Sequence, residues 1–175
     1  GLGVEMVLLD DHGTEVPQDG TSVGEVCARS NVVFAGYWEQ PEETAKAIRN
    51  GFFHTGDLGV WDKTRSIHIV DRKKDVIISG GENISSVEVE GVLMGHPDVN
   101  LAAVVAQPDE KWGEVPCAFV ELKPGRSGDE AAMIAFARDT LAGFKAPKRV
   151  VFQELPKTST GKIQKFELRA QAARL

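Results

Sequence analysis

Asp71-Arg72-Lys73-Lys74-Asp75-Val76-Ile77-Ile78-Ser79-Gly80-Gly81-Glu82-Asn83-Ile84-Ser85-Ser86-Val87-Glu88-Val89-Glu90 divides the chain into two textures. Upstream, short β-prone runs alternate with turn signals. Val4–Asp10 and Gly24–Ser30 read as strands, and Asp57–Asp62 and Ser66–Asp71 as a hairpin around Lys63-Thr64-Arg65. One short helix opens at Pro41-Glu42-Glu43, because proline fits a first helical turn and carboxylates there favour the helix dipole. Downstream, strands and helices alternate. Val76–Ile78 is a strand that stops at Gly80-Gly81. Ser85 or Ser86 caps a helix whose Val89, Val92 and Leu93 share a face, ended by His96-Pro97. Val99–Ala106 and Val115–Leu122 are continuous apolar runs of the kind buried on both faces. Asp129 caps a second helix with Met133, Phe136, Ala137 and Leu141 on one side. Val150–Phe152 is a further strand and Phe166–Ala173 a terminal helix. This order predicts an α+β domain over 75–175, preceded by a β-rich segment over 1–74, with the boundary at Lys74.

The 175 residues suffice for one domain or two small ones, and 42% hydrophobic with 26% charged residues is a globular mix. The net charge of −6 hides a split: residues 144–175 carry eight basic and two acidic side chains, a net +6, so the remainder is −12. A basic segment of this kind seeks phosphate or carboxylate. The apolar runs are far too short to span a bilayer, and no secretory leader is visible. Two cysteines without a CxxC, and four scattered histidines, predict neither a disulfide framework nor a metal site. A reducing, cytoplasmic setting follows, and no nucleic-acid partner is expected.

Four short motifs carry chemistry. Thr55-Gly56-Asp57 sets a carboxylate beside a glycine, able to accept two hydrogen bonds from a vicinal diol such as a ribose; it is also an ordinary turn signal. Asp71–Asp75 is a solvated charged loop or a linker that aims an arginine at a ligand. Gly80-Gly81 permits close approach of a thin ligand, or simply a tight turn. Pro156-Lys157-Thr158-Ser159-Thr160-Gly161-Lys162 is a small-residue loop ending in a lysine, without the spacing of a phosphate-binding P-loop.

Taken in order, Gly36-Tyr37-Trp38, Thr55-Gly56-Asp57, Asp71-Arg72-x-Lys74-Asp75-x-Ile77, Gly80-Gly81-Glu82-Asn83-Ile84 with Val87–Glu90, and Pro156-Lys157-x-x-x-Gly161-Lys162 closely resemble the adenylate-forming superfamily. Val76–Glu90 and Trp112-Gly113-Glu114-Val115-Pro116 look most like short- or medium-chain acyl-CoA synthetases. The resemblance implies a C-terminal domain with a small mixed sheet flanked by helices, preceded by the β-rich end of a large N-terminal domain. It also implies a carboxylic acid substrate, ATP and coenzyme A, with Mg2+ accompanying ATP on ligands outside this chain. By motif position, Asp57 and Arg72 would bind the nucleotide ribose. Lys74 would be the hinge and Lys162 the adenylation lysine. Gly80, Gly81 and Trp112 would line the coenzyme A passage, although Trp112 fits a loop-anchoring aromatic equally well. Asn83 stands where some relatives place a phosphate-contacting arginine. Lys145, Lys148 and Arg149 would meet ligand phosphates or an acidic face of the N-terminal domain.

The Ser/Thr/Gly-rich ATP loop and the acyl pocket of the family do not occur in this sequence. The expectation is therefore the last part of a larger enzyme, inactive alone, that depends on its missing N-terminal domain. Two alternatives stand beside it: a peptide-synthetase adenylation domain, and a free-standing module that holds coenzyme A or a partner protein.

Overall fold

A computed structural model describes residues 3–175. The chain forms two units, the first ending at Lys74 and the second spanning Asp75–Leu175.

The first unit holds β1 (Glu5–Leu9), β2 (Val23–Arg29), α1 (Pro41–Ala47), β3 (Ile48–Arg49), β4 (Phe52–Trp61) and β5 (Ile67–Arg72). All of its strand pairings are antiparallel: β1 with β2, β2 with β4, and β3 and β5 with opposite ends of β4. Leu8, Val16, Val26 and Trp61 form its core, with Ile67 packed against them. Strand β4 begins five residues before the expected hairpin strand, because Phe53 and His54 already pair with Ala28 and Cys27. Thr55-Gly56-Asp57 therefore lies inside a strand rather than at its mouth. The pairing is irregular there: Glu25 faces Leu58 and Cys27 faces His54, so two steps along β2 span four along β4. The surplus is a bulge, a device that bends a strand and re-aims its side chains.

The second unit holds β6 (Ile77–Ser79), β7 (Glu82–Ile84), α2 (Ser86–Met94), β8 (Val99–Asp109), β9 (Gly113–Leu122), α3 (Glu130–Thr140), β10 (Arg149–Phe152) and α4 (Lys165–Ala172). The sheet is mixed. Strand β9 pairs antiparallel with β8 and β6 and parallel with β10. Alternation along the two long strands builds three layers. Ala102, Val104, Ala118 and Val120 meet Val89 and Leu93 of α2 and Met133 and Ala137 of α3 on one face. Ala103, Val105, Cys117 and Phe119 meet Leu155, Leu168 and Ala172 on the other. Burial on both faces is why these strands read as unbroken apolar runs. The expected α+β class, with a small mixed sheet flanked by helices, is what the unit has.

Local signals work as capping chemistry requires. Ser85 is the N-cap of α2, its hydroxyl accepting from the Glu88 N–H at 3.2 Å, and Asp129 caps α3 through the Ala132 N–H at 3.0 Å. Strand β7 was not expected from the polar pair Glu82-Asn83. It forms because Gly80 (φ +59°) and Gly81 (φ +86°) close a two-residue hairpin that sets Glu82 opposite Ser79. Both positions need a positive φ, which is the demand of a type I′ turn.

Candidate functional site

The bulge in β4 is held by side chains from β2 and from itself. The Thr55 hydroxyl donates to the Val26 carbonyl at 2.8 Å and accepts the Asp57 N–H at 3.1 Å. The Gly56 N–H donates to Glu25 Oε1 at 3.2 Å, with Gly56 at φ +77°. On the opposite edge, β5 pairs with β4 so that Arg72 faces Asp57 across one rung. Two residues far apart in sequence thus project from one place, with Arg72 Nε 3.9 Å from Asp57 Oδ1 and both side chains substantially exposed. That separation is loose for an ion pair, which leaves both groups able to turn to a third partner. The Lys73 N–H closes the edge on the Gly56 carbonyl at 2.8 Å. Asp57, Arg72, Lys73 and Lys74 line an open cleft of about 940 Å3 with Lys46, Thr55 and Gly56. Glu43 also lines it and pairs with Lys46 at 2.7 Å, and Lys73 is held by Asp11 and Glu25, so Arg72 and Lys74 are the cations best placed for a phosphorylated ligand. Lys74 itself is exposed in the turn after β5.

In the second unit, the β6–β7 hairpin and the turn before β9 meet. The Gly80 N–H donates to the Trp112 carbonyl at 2.8 Å. A Cβ on Gly80 would lie 2.8 Å from Trp112 Cε3, while one on Gly81 would meet open space. Gly80 is therefore small for the sake of Trp112 as well as of its backbone conformation, and Gly81 for its backbone conformation alone. Ser79, Gly80, Glu82, Trp112, Phe144 and Lys148 line a cleft of about 460 Å3. The half-exposed indole forms one wall, with Lys111 Nζ 4.8 Å from its ring centroid. Of the three basic residues expected to meet phosphates or an acidic face, Lys145 pairs with Glu88 at 2.8 Å and Arg149 lies 3.8 Å from Glu130. Lys148 alone of the three lines the cleft. Phe144 was not expected there; an aromatic beside the basic run at 145–149 was its signal. Asn83 stands exposed on β7.

Lys162 closes a turn. The Thr158 N–H donates to the Lys162 carbonyl at 2.8 Å, the Thr158 hydroxyl accepts the Lys162 N–H at 3.1 Å, and Gly161 (φ +83°) completes the reversal. The stem of this loop is tied to β9. Glu121 Oε2 accepts from the Leu155 N–H at 3.1 Å and from Lys157 Nζ at 2.9 Å, while Asn100 Nδ2 donates to its other oxygen at 2.7 Å. These donors hold the Glu121 carboxyl below its ordinary range, the Leu155 N–H foremost and the Lys157 ammonium next, against a smaller opposing effect of burial. The Lys162 ammonium is exposed and carries no ion pair among the described residues.

Glu25, Cys27 and His54 form the one group of metal-type donors among the described residues, within 4.8 Å of one another. The scattered histidines gave no hint of it. The group does not fit Mg2+, which takes oxygen ligands. Its carboxylate is already shared by Lys73 at 3.2 Å and Arg49 at 3.6 Å. Burial first, and then the Glu25 charge, push the Cys27 thiol up to about 11, so the sulfur is protonated at neutral pH.

Residues 88–162 match the family model described as AMP-binding enzyme C-terminal domain. A 2-methylpropanoate–CoA ligase from Humulus lupulus is 54% identical over 164 residues, covering 91% of this chain and 30% of that protein. Among solved structures, an amide bond synthetase from Marinactinospora thermotolerans superimposes with a TM-score of 0.84 at 40% identity, over 96% of this chain and 34% of the other. An o-succinylbenzoate CoA synthetase from Bacillus subtilis, in complex with its acyl-adenylate intermediate, gives 0.84 at 31% identity over 95% and 34%. The chain thus spans about a third of the length of the proteins it matches. No helix of the described residues is long and apolar enough to cross a membrane.

Proposed function

We propose that this chain, which belongs to the adenylate-forming enzymes and carries their AMP-binding C-terminal domain, works as the nucleotide-clasping and mobile part of an ATP-dependent acid–CoA ligase. In the reaction, a carboxylate oxygen attacks the α-phosphorus of ATP and pyrophosphate leaves. A thiolate of coenzyme A then attacks the acyl carbon and AMP leaves, so acid, ATP and coenzyme A become thioester, AMP and pyrophosphate. The observation that carries this reading is the shared rung of Asp57 and Arg72. A carboxylate acceptor and a guanidinium donor on one edge match the two hydroxyls of a ribose, and Lys74 on the same cleft suits a phosphate.

Lys162 acts by charge. An exposed ammonium on a glycine-containing turn approaches the α-phosphate and the substrate carboxylate as negative charge builds, with no proton to gain or lose. Lys74, in the turn between the two units, serves as the hinge. Gly81, whose missing side chain leaves open space, and Gly80 with Trp112 border the coenzyme A passage. Phe144 and Lys148 complete its wall. Mg2+ supplies charge neutralisation to ATP phosphates in such chemistry, but no residues of this chain are assigned to it. By likeness to the 2-methylpropanoate–CoA ligase the acid is a short one, held by the family's N-terminal domain rather than by the residues described here. Free, buried Cys27 and Cys117 support a reducing compartment, the cytoplasm.

The diol contact is testable in the intact ligase that contains this sequence. Asp57→Ala should raise the KM for ATP and abolish discrimination between ATP and 2′,3′-dideoxy-ATP. Retained discrimination in the variant would remove Asp57 from the ribose site.

A further inference from the structure

Glu25 is the one acidic side chain in the middle of β2, and its side chain is only 7% exposed. A buried carboxylate persists only where donors compensate its lost hydration. Here they come from three places. Oε1 accepts the Gly56 N–H inside the bulge at 3.2 Å. Oε2 lies 3.0 Å from His54 Nδ1, two residues before Gly56, and accepts from Lys73 Nζ at 3.2 Å. Arg49 of β3 stands 3.6 Å away. Lys73 is also tied to Asp11 at 3.1 Å, and its own backbone N–H closes on Gly56. One carboxylate therefore joins the strand segment that ends in Asp57 to the residue that follows Arg72.

Two other uses of the cluster fail on geometry. A metal ion would compete for Glu25 Oε2 with Lys73 at 3.2 Å and Arg49 at 3.6 Å. A Cys–His–Glu relay needs the thiol and the carboxylate on different ring nitrogens, yet Cys27 Sγ (3.3 Å) and Glu25 Oε2 (3.0 Å) both face Nδ1.

We propose that Glu25 is a positioning residue for nucleotide binding: by holding Gly56 with one oxygen and Lys73 with the other, it fixes the separation and aim of Asp57 and Arg72. This rests on the reading that those two residues bind the ribose. Glu25 does not line the cleft of Asp57 and Arg72. Its effect reaches the ligand through the bulge, whose main chain it anchors, and through the end of β5. A group that acts this way changes the affinity for the nucleotide and leaves the reacting atoms alone.

The test uses the intact ligase and measures ATP, acid and coenzyme A separately. Glu25→Gln keeps the shape and an acceptor for Gly56 but loses the charge that holds Lys73. It should raise the KM for ATP by about tenfold, the size of one charge-assisted hydrogen bond. The kcat of adenylation and the KM for coenzyme A should stay within about twofold, and the melting temperature should fall by only a few degrees. Lys73→Met, on a half-exposed residue, should raise the ATP KM in the same sense, and the double variant should add little to either single one. An unchanged ATP KM in Glu25→Gln, or a loss spread evenly over all substrates, overturns the proposal. If Glu25→Gln does not fold, Glu25→Asp, which keeps the charge but shortens its reach to Gly56, decides by the same criterion. Asp57→Ala separates the two levels of the argument. An Asp57→Ala enzyme with normal ATP affinity refutes the ribose reading, whereas a raised ATP KM there with a normal one in Glu25→Gln refutes the role of Glu25 alone.

Discussion

Each unit carries one loop tied down by one glutamate, and the two ties are built differently. In the first unit, Glu25 is buried and bonds within the proposed ribose-binding segment itself: Gly56 N–H is one of its donors and Asp57 is the next residue. In the second, Glu121 is partly exposed and bonds the stem of the loop, through Leu155 and Lys157, five residues before Lys162, the proposed adenylation lysine. From there to the tip, the loop holds itself by a turn between Thr158 and Lys162 and an isolated bridge of Lys157 with Ile163. The difference fits the two tasks proposed. A ribose-binding pair must stay in register, while a lysine that serves one step of two must come and go, and short turns with exposed hydrogen bonds open at little cost.

The comparison can be broken from either side. The largest structural effect is expected at the strands that carry the second tie: Phe119→Ala, fully buried on β9 beneath α4, should lower unfolding free energy by about 3–5 kcal/mol in urea titration. A loss under 1 kcal/mol would show that α4 does not pack as described. Next comes Glu25→Ala, which leaves Gly56 without its acceptor and two cations without theirs; a loss of about 2–3 kcal/mol is expected, softened because Lys73 and Arg49 are half-exposed and rehydrate. Glu121→Ala should cost less, about 1 kcal/mol. Equal losses at both positions would erase the contrast between the two ties.

Gly80→Ala tests the hairpin between them in size. A positive φ costs an alanine about 1–2 kcal/mol, and its Cβ must displace the Trp112 ring. A shift in tryptophan emission together with the stability loss is expected, and an unchanged spectrum would put the ring elsewhere. The smallest effect concerns pH. Glu121 titrates below its ordinary range, so its stabilisation is complete above about pH 4.5 and is lost as pH falls through the lowered folded value. Glu25 behaves alike in direction: burial pushes its carboxyl up, but the bonds from His54 and Lys73 outweigh that and hold it down. Stability should therefore fall on acidification, with a shallower slope in Glu121→Gln. An unaltered slope would show that Glu121 shares no tie in solution.

The sequence made the second unit legible because its signals are local. Two apolar runs fixed β8 and β9, and Ser85 and Asp129 marked the starts of α2 and α3. Strand β7 was hidden because it is polar and exists only through the glycine turn before it. The early start of β4 was hidden because only pairing with β2 reveals it. Motif order supplied Asp57, Arg72, Gly80, Gly81, Trp112 and Lys162 as candidates. Neither the rung shared by Asp57 and Arg72 nor the contact of Gly80 with Trp112 could be read, since both are made by pairing across strands. Glu25 escaped altogether, its meaning lying in a bulge 31 residues away. The available hint was a single carboxylate amid the apolar residues of β2.

The account stands most directly on Lys162. In the intact ligase, the two half-reactions can be measured apart for Lys162→Ala, as pyrophosphate release from ATP and acid and as thioester formation from supplied acyl-adenylate. The first should fall by about 10²–10³-fold, the loss typical of one charge-stabilising donor, while the second stays within about threefold. Equal loss of both steps, or no loss of the first, would contradict the assignment of the Lys162 loop to adenylation.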